Sequence, residues 1–289
     1  MQTDIRPTYA ACLLTCFPKI SAPLRAMLVV LMVVMVSAMP TGSMAQGMLP
    51  LKWSSGHVTP PNCVAYSPDG KLLAVGDSSG VQVINLATGA TVYLPSTATY
   101  GVAALAFSPN GKTLADAGAT YDPFNGLTAG VLELWDVSTS NLIALLSTSA
   151  TYLNAIAFSS DGSTLADSGP SYNDLDNLVM EIELWDVSTA NLLQDLYSSA
   201  NDGVFSVAFS PDGKTLADGG LSTSGGVLET WSVATGSVVQ SYKTVANKGD
   251  NSVAFSPDGS LLADCGNDFV TSTGTITAYS RCGTSQPGN

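Results

Sequence analysis

The stretch "SVAFSPDGKTLADGG", residues 206–220, decides the fold because variants of it recur along most of the chain. The alternating residues before the turn predict a strand, "SPDG" predicts a type I turn, and "KTLAD" predicts the returning strand. The five variants occupy residues 63–76, 104–118, 155–169, 206–220 and 252–266. We therefore expect one β-hairpin frame to be repeated five times.

Two further strands are predicted after each hairpin frame. The third is typified by "GVLELWDVST", residues 130–139, and the fourth by "LIALLS", residues 142–147. Four antiparallel strands at a period of roughly 40 to 50 residues are typical of a propeller blade. We therefore predict an all-β propeller of five four-stranded antiparallel blades. Their predicted starts lie near residues 58, 99, 150, 201 and 247.

The last predicted blade has only three strands in its own repeat, ending with "TITAYS" at residues 275–280. The segment "MLPLKWSS", residues 48–55, reads as a strand with no blade of its own. We expect this N-terminal strand to complete the last blade, because a closed ring hides the edge strands that invite aggregation.

These repeats resemble those of the WD40 family over residues 49–280. The resemblance rests on "LWD" at residues 134–136 and 184–186, on the five "SPDG"-type turns, and on Gly56-His57 before the first turn. It implies a β-propeller whose chain ends latch together. In that family the second-strand position is usually Ser or Thr, bonded to a Trp and to the His of the Gly-His pair. This chain has a single histidine, His57, so another arrangement must serve its other repeats.

Residues 1–45 read as a signal peptide, and residues 46–289 as the propeller. Basic residues precede the apolar run "AMLVVLMVVMVSAM" at residues 26–39, which is shorter than the roughly 20 residues that a membrane-spanning helix needs. Small residues at Ser43 and Ala45 fit cleavage after Ala45. The chain is thus expected to be secreted, or periplasmic or extracellular, and to resemble the bacterial type of secreted WD40 protein. The cysteines beyond the leader, Cys63, Cys265 and Cys282, leave open whether a disulfide forms.

The chain is strongly acidic, with 10 basic and 23 acidic residues and a formal net charge of −13. Loss of the leader would remove three basic residues and one acid, which makes the remainder more negative. Such a surface repels nucleic acid and anionic lipid. We therefore expect neither nucleic acid nor membrane as a partner after cleavage. The sequence does not indicate the oligomeric state.

Two positions of the repeat change together. The second strand carries aspartate in every frame except the first, which has Val75, and the third strand carries an aromatic donor in every frame except the first, which has Ile84. Because a buried carboxylate needs donors and a buried indole or phenol needs an acceptor, each is expected to satisfy the other. The predicted structural pairs are Asp116–Trp135, Asp167–Trp185, Asp218–Trp231 and Asp264–Tyr279. The alternative, a ring of carboxylates for a metal or for catalysis, remains open.

A second acidic column stands two residues before the tryptophans, at Glu133, Glu183 and Glu229, where the WD40 family commonly has Lys or Arg. We expect these side chains to reach solvent at a blade edge. A cation site there is the alternative.

Function is expected in the loops, because the strands of a propeller are committed to its core. The loops between second and third strands and the loops between blades are predicted to open on one rim. An exposed tyrosine suits the recognition of protein, peptide or carbohydrate, because its ring supplies apolar area and its hydroxyl orients the ligand. The candidate rim residues are Tyr100, Tyr121, Asp122, Tyr152, Tyr172, Asp174 and Asp176. Turn chemistry alone is the alternative explanation for their loops.

Catalysis has weaker support. A lone histidine at a structural position argues against Ser-His-Asp and Cys-His chemistry and against a His-rich metal site. The segment "NDLDN", residues 173–177, lacks the spacing of an EF-hand calcium loop. We predict no cofactor, no metal and no catalytic residue, and a non-catalytic binding scaffold. The alternative is a carboxylate-dependent enzyme acting on glycans.

Overall fold

The computed structural model describes residues 60–124, 127–173, 175, 177–244, 250–270 and 275–283. The chain divides into two compact units, Met1–Pro60 and Pro61–Asn289, and the described residues lie almost entirely in the second. No helix in these ranges is long and apolar enough to cross a membrane. The predicted leader, its cleavage site and the strand at 48–55 lie outside the described residues.

The described part of the second unit is all-β, and every strand pairing in it is antiparallel. Each sheet is formed by strands that follow one another in the chain. Sheet 1 contains β1 (Cys63–Tyr66), β2 (Leu72–Asp77), β3 (Gly80–Asn85) and β4 (Thr91–Leu94). Sheet 2 contains β5 (Gly101–Phe107), β6 (Thr113–Asp122), β7 (Leu127–Asp136) and β8 (Leu142–Leu146). Sheet 3 contains β9 (Ala155–Phe158), β10 (Thr164–Tyr172), β11 (Leu178–Asp186) and β12 (Asn191–Ser198). Sheet 4 contains β13 (Gly203–Phe209), β14 (Thr215–Ser222), β15 (Gly225–Ser232) and β16 (Val238–Lys243), and sheet 5 contains β17 (Asp250–Phe255), β18 (Leu262–Val270) and β19 (Thr275–Gly283).

These sheets agree with the repeat pattern. Four of them have the four antiparallel strands predicted for a blade, and the described residues of the fifth contain the three strands of its own repeat. Ring closure and the number of blades remain predictions.

The hydrophobic core lies between neighbouring sheets. The first strands of successive sheets contact one another, β1 with β5, β5 with β9, β9 with β13 and β13 with β17. Each of the three buried tryptophans packs on the preceding sheet. Trp135 joins Ala74 and Val81 of sheet 1, and Trp231 joins Ile182 and Leu196 of sheet 3. The tryptophans therefore tie each sheet to its predecessor.

The turn of each frame is closed by its serine and its third residue. In the first frame Gly70 N donates to Ser67 O at 2.9 Å, and Ser67 Oγ donates to Asp69 Oδ1 at 2.8 Å. Gly70 has φ of 70°, which favours glycine at the fourth position. The hydrogen bonds from Ser67 and Lys71 lower the pKa of the exposed Asp69 to about 2. The turns at Ser108, Ser159, Ser210 and Ser256 repeat this geometry.

The glycine that ends the "LADxG" motif allows a close approach of the chain between sheets. A Cβ at Gly118 would collide with the carbonyl oxygen of Gly101, and one at Gly169 with that of Tyr152. Gly220 meets Gly203 in the same way. The segments that enter sheets 2, 3 and 4 therefore lie directly on the second strand of the sheet they enter.

The strand register in sheet 5 differs from that in sheet 4. Asp218 lies across from Glu229, so Trp231 is two residues beyond the cross-strand partner of the aspartate. In sheet 5 Asp264 lies across from Arg281, and Gly283 takes the position of the tryptophan. Tyr279 lies across from Gly266, so the register places it on the other side of Asp264 from the position that Trp231 takes relative to Asp218, and the pairing of Asp264 with Tyr279 stays a prediction. β19 simply continues past the segment that resembles the other third strands.

Candidate functional site

Buried aspartates accept from tryptophans in sheets 2 and 4. Trp135 Nε1 donates to Asp116 Oδ1 at 2.6 Å, and Trp231 Nε1 donates to Asp218 Oδ1 at 2.6 Å. Both aspartates have no exposed surface. Without hydrogen-bond donors these buried carboxylates would destabilise the fold, because an unpaired buried polar group lowers the free energy of unfolding by about 1–3 kcal/mol. The predicted pairs Asp116–Trp135 and Asp218–Trp231 thus have hydrogen-bonding geometry.

The second oxygen of each aspartate accepts from a serine that precedes the sheet. Ser96 Oγ donates to Asp116 Oδ2 at 2.5 Å, and Ser198 Oγ donates to Asp218 Oδ2 at 2.6 Å. Sequence reasoning missed both serines. A repeated hydroxyl motif in the sequence could have identified them. The segments that enter sheets 2, 3 and 4 begin with "STA", "TSA" and "SSA" at residues 96–98, 148–150 and 198–200.

Burial dominates the pKa values of these two aspartates. Loss of solvation raises the pKa of Asp116 and of Asp218 to about 7, while the hydrogen bonds from serine and tryptophan oppose the rise. The nearby Glu133 and Glu229 add a smaller repulsive contribution in the raising direction. Each aspartate is therefore a proton acceptor near neutral pH inside the fold.

The glutamate column is buried, so the expectation that it reaches solvent is wrong. Glu133 is fully buried, and Glu183 and Glu229 are nearly so. Glu133 accepts from Thr97 N and from Thr97 Oγ1, the latter at 2.8 Å. Glu229 accepts from Ser199 N at 3.1 Å and from Ser199 Oγ at 2.9 Å. The donors of the entering segment replace water, which is the physical reason that these carboxylates can face inward.

Sheet 3 departs from this pattern. Thr148 occupies the position of Ser96 and Ser198, yet its Oγ1 donates to Glu183 instead of Asp167. Asp167 Oδ1 accepts from Glu183 N at 3.2 Å. Asp167 Oδ2 and Trp185 Nε1 are buried without a hydrogen bond of good geometry, although the indole of Trp185 lies close enough to oppose the rise in the pKa of Asp167. The predicted Asp167–Trp185 pair is therefore in contact but lacks the short hydrogen bond of sheets 2 and 4.

The cause of this departure is an additional carboxylate, Glu181. Ser149 Oγ donates to Glu181 Oε2, whereas its equivalents in sheets 2 and 4 donate to the glutamate of the column. Thr148 fills the vacated position on Glu183, and no hydroxyl remains for Asp167. Burial, reinforced by the charge of Glu183, raises the pKa of Asp167 well above its ordinary value.

Two pairs of tyrosines occupy the same positions in sheets 2 and 3. Tyr100 and Tyr121 are 66% and 45% exposed, and their ring centroids are 5.7 Å apart at a tilt of 42°. Tyr152 and Tyr172 are 43% and 60% exposed. The first member of each pair lies in the segment entering its sheet, and the second lies near the end of the second strand.

Backbone hydrogen bonds fix these pairs to the sheets. Tyr100 N donates to Ala119 O at 2.9 Å, and Thr151 N donates to Pro170 O at 2.8 Å. Leu153 N donates to Gly118 O at 3.2 Å, which joins the segment entering sheet 3 to sheet 2. The two tyrosine pairs therefore lie at the same end of neighbouring sheets.

The acidic residues among the rim candidates add less to a candidate binding surface than the tyrosines do. Asp122 Oδ1 accepts from Phe124 N at 2.8 Å, which is local turn bonding. Asp174 and Asp176 lie outside the described residues. Within the ranges described, no group of three or more His, Cys, Asp or Glu residues is arranged to hold a metal ion.

A cleft of about 600 Å³ lies beside Tyr172 in sheet 3. Its lining includes hydroxyls, exposed aromatic and aliphatic side chains, and the carboxylate of Glu181. The residues are Ser149, Ser171, Tyr172, Asn173, Leu175, Val179, Glu181 and Tyr197. The cleft thus joins the tyrosine-bearing end of the sheet to the atypical network beneath it.

Comparison with known proteins gives two kinds of likeness. Residues 50–84 and 191–228 match the family model described as WD domain, G-beta repeat. The chain is similar to apoptotic protease-activating factor 1 of Homo sapiens, with 33% identity over 126 residues, and to that of Rattus norvegicus, with 34% over 122 residues. These matches cover 40% and 39% of this chain but 9% of each relative, so the chain spans less than a tenth of the curated relatives it matches.

A solved structure gives the second likeness. Kuenenia stuttgartiensis hydrazine synthase superposes with a TM-score of 0.61 at 19% sequence identity. The alignment covers 84% of this chain and 67% of that chain. At this identity the likeness concerns the fold alone.

Proposed function

We propose that this chain is a non-catalytic binding module of the WD40 type, which holds a partner protein or peptide against the tyrosine-bearing end of sheets 2 and 3. The observation that carries the proposal is the repeated tyrosine pair, which is exposed at the same positions in sheets 2 and 3. WD40 repeats typically serve as scaffolds for protein interactions. The proposal also includes a ring of five blades, closed by residues 48–55.

The buried network explains why this surface suits binding. In sheets 2 and 4 the aspartate and the glutamate hold consecutive residues of the entering segment, Ser96 and Thr97 in sheet 2. Tyr100 follows within the same short segment. Because the segment is already fixed, little conformational entropy is lost when a partner covers the ring, and tyrosine has few rotatable bonds of its own.

The glycan-active alternative gains no specific support. A catalytic carboxylate must touch its substrate, and the aligned carboxylates of sheets 2 to 4 lie beneath the surface with almost no exposure. Asp116 and Asp218 are further occupied by tryptophan and serine donors. The acids that form the repeat are therefore accounted for as structural groups.

The binding proposal predicts loss of a ligand when the tyrosines are removed. Wild-type protein is screened on peptide and glycan arrays, and the affinity for each hit is then measured for the double variants Tyr100→Ala/Tyr121→Ala and Tyr152→Ala/Tyr172→Ala. We expect at least one double variant to bind a peptide hit about tenfold or more weakly, which corresponds to about 1.4 kcal/mol.

Tyr93→Ala is the matched control, because Tyr93 is 64% exposed on β4, the outer strand of sheet 1. It should bind like the wild type. Full affinity in both double variants would contradict the proposed surface. Turnover of a glycan hit would replace the proposal with the enzymatic alternative.

Export is part of the same proposal. When the full-length protein is produced in a secreting host, the mature protein should begin at Gln46, because residues 1–45 carry the features of a signal peptide. Intact-mass analysis of the secreted protein measures this N-terminus. The control is Ala45→Arg, a charged residue at the position next to the cleaved bond, which should block processing. A mature protein that retains residues 1–45 would contradict both the leader and the extracellular or periplasmic location.

A further inference from the structure

The position of Glu181 differs from its equivalents in neighbouring sheets. Glu181 lies across from Gly169, Val131 across from Gly118, and Val227 across from Gly220. All three third-strand residues are buried, and Glu181 is only 5% exposed. Sheet 3 thus places a carboxylate where the repeat otherwise buries a valine.

The carboxylate of Glu181 is expected to destabilise sheet 3. It takes the hydroxyl of Ser149, and the resulting shift of donors leaves Asp167 Oδ2 and Trp185 Nε1 buried without a hydrogen bond of good geometry. The same two atoms are hydrogen-bonded in sheets 2 and 4. A local departure that weakens packing without a compensating contact is expected at functional sites.

No cation within this part of the chain balances the added charge. Between Lys112 and Lys214 the sequence contains no lysine, arginine or histidine. The same stretch supplies Glu181, Glu183, Asp167 and Asp195 to sheet 3, and Asp195 lies directly across from Glu183. Any compensating positive charge must therefore come from outside sheet 3.

The cleft above Glu181 has the shape and lining for such a charge. Glu181 lines it together with Ser149 and Ser171, whose hydroxyl oxygens are 3.0 Å apart. Tyr172 and Tyr197 line it as well, and both side chains are more than half exposed. Hydroxyl and carboxylate oxygens accept from an ammonium or guanidinium group, while aromatic rings pack against its alkyl stem and attract its charge.

We propose that this cleft receives a lysine or arginine side chain of a partner peptide, with the cationic group directed to Glu181 and the stem between Tyr172 and Tyr197. The proposal rests on the proposed function, because Tyr172 belongs to the binding surface, and it adds the chemistry that selects the partner. A neutral carbohydrate could also contact the tyrosines, but it would leave the charge of Glu181 uncompensated.

The test titrates three acetylated and amidated tripeptides, Gly-Lys-Gly, Gly-Arg-Gly and Gly-norleucine-Gly, into the isotopically labelled protein at low salt. Nuclear magnetic resonance follows the backbone amides of Ser149, Ser171 and Glu181. We expect shifts with the lysine or arginine peptide and none with norleucine, which keeps the stem without the charge. Glu181→Gln should weaken binding of the cationic peptide about tenfold or more.

Two control variants separate this role from a structural one. Asp202→Asn removes the same charge from an exposed position that matches Tyr100 and Tyr152 in sheet 4, and it should leave the affinity within about twofold of the wild type. Glu181→Val restores the residue of sheets 2 and 4, and it should abolish binding while raising the melting temperature, because the serine and threonine donors can return to Glu183 and Asp167.

The proposal is overturned if norleucine binds as well as lysine and arginine, or if Glu181→Gln binds like the wild type. It is also overturned if cellohexaose or chitohexaose occupies the cleft with an affinity that Glu181→Gln does not change. These outcomes leave the proposed function intact wherever the tyrosine double variants lose an array hit. Retention of the hit in both double variants would instead count against the proposed function.

Discussion

Replacement of Asp218 by alanine should destabilise the protein by about 2–4 kcal/mol at pH 5, because a buried indole and a partly buried hydroxyl lose their acceptor. Trp231 Nε1 and Ser198 Oγ both donate to this carboxylate at 2.6 Å. Trp231 is 4% exposed and Asp218 is fully buried, so the indole has no water to replace its acceptor, whereas Ser198 is partly exposed. Chemical denaturation followed by tryptophan fluorescence measures the free energy of unfolding.

Asp218→Ser is the matched variant. A serine hydroxyl can accept from the indole and is the residue type that the WD40 resemblance implies at this position, so its effect should be clearly smaller. Equal losses in the two variants would mean that Trp231 does not depend on an acceptor there. The alanine variant should also lose the contact with Ser198 that holds the segment entering sheet 4.

Much of the fold could be predicted from the sequence because its determinants are local. The alternation, the "SPDG" turn and the returning strand lie within fifteen residues, as in 206–220. The pairing of Asp116 with Trp135 was also accessible, because comparison of repeats shows two columns that change together. Both inferences need only the pattern within a repeat.

What the sequence could not predict depends on contacts between repeats. Glu133 shares a strand face with Trp135, but only its charge was used to place it; its burial depends on Thr97, which precedes it by 36 residues and donates to its carboxylate. Periodicity identifies the face of a strand and gives no information about what lies against that face. The tyrosine pairs were named individually from their loops, and only the structure brings Tyr100 and Tyr121 together.

The departures in sheets 3 and 5 have different origins. In sheet 3 one additional acceptor, Glu181, changes the distribution of a fixed set of hydroxyl donors, so the Asp167–Trp185 contact lacks the hydrogen-bond geometry of the other two sheets. In sheet 5 the alignment of aromatic residues does not fix the register, and the position equivalent to Trp231 falls four residues beyond Tyr279, at Gly283. Single substitutions and register are the points at which a repeat pattern loses its predictive value.

The buried aspartates lead to an unusual dependence of stability on pH. Asp116 and Asp218 have folded-state pKa values of about 7 because burial disfavours their charge. In the unfolded chain an aspartate titrates near 3.9. Between these values the folded protein retains protons that the unfolded chain releases, so its stability should fall as pH rises from about 4 to about 7.

Other aspartates act in the opposite direction but over a different pH range. The turn carboxylates Asp69, Asp136 and Asp161 have pKa values lowered to about 2 by local hydrogen bonds, chiefly from serine and threonine. Their contribution is present above about pH 4 and is lost as pH falls towards 2. The two effects therefore place the maximum of stability near pH 4.

We expect the melting temperature to be several degrees higher at pH 5 than at pH 8, since each buried aspartate contributes at most about 1.4 kcal/mol per pH unit. Differential scanning calorimetry across this range measures the slope. Asp116→Asn and Asp218→Asn should each flatten it, whatever their absolute stability, because asparagine does not titrate. Asp69→Asn, the control in an exposed turn, should leave the slope between pH 5 and 8 unchanged.

The same linkage connects this prediction to the alanine variant. Because ionisation of Asp218 weakens the wild type and cannot affect Asp218→Ala, the difference in stability between them should be larger at pH 5 than at pH 8. A difference that grows with pH would mean that the carboxylate is stabilised in its charged form by Trp231 and Ser198 more than burial disfavours it. The sign of this change therefore decides whether desolvation or hydrogen bonding dominates in the repeated aspartate.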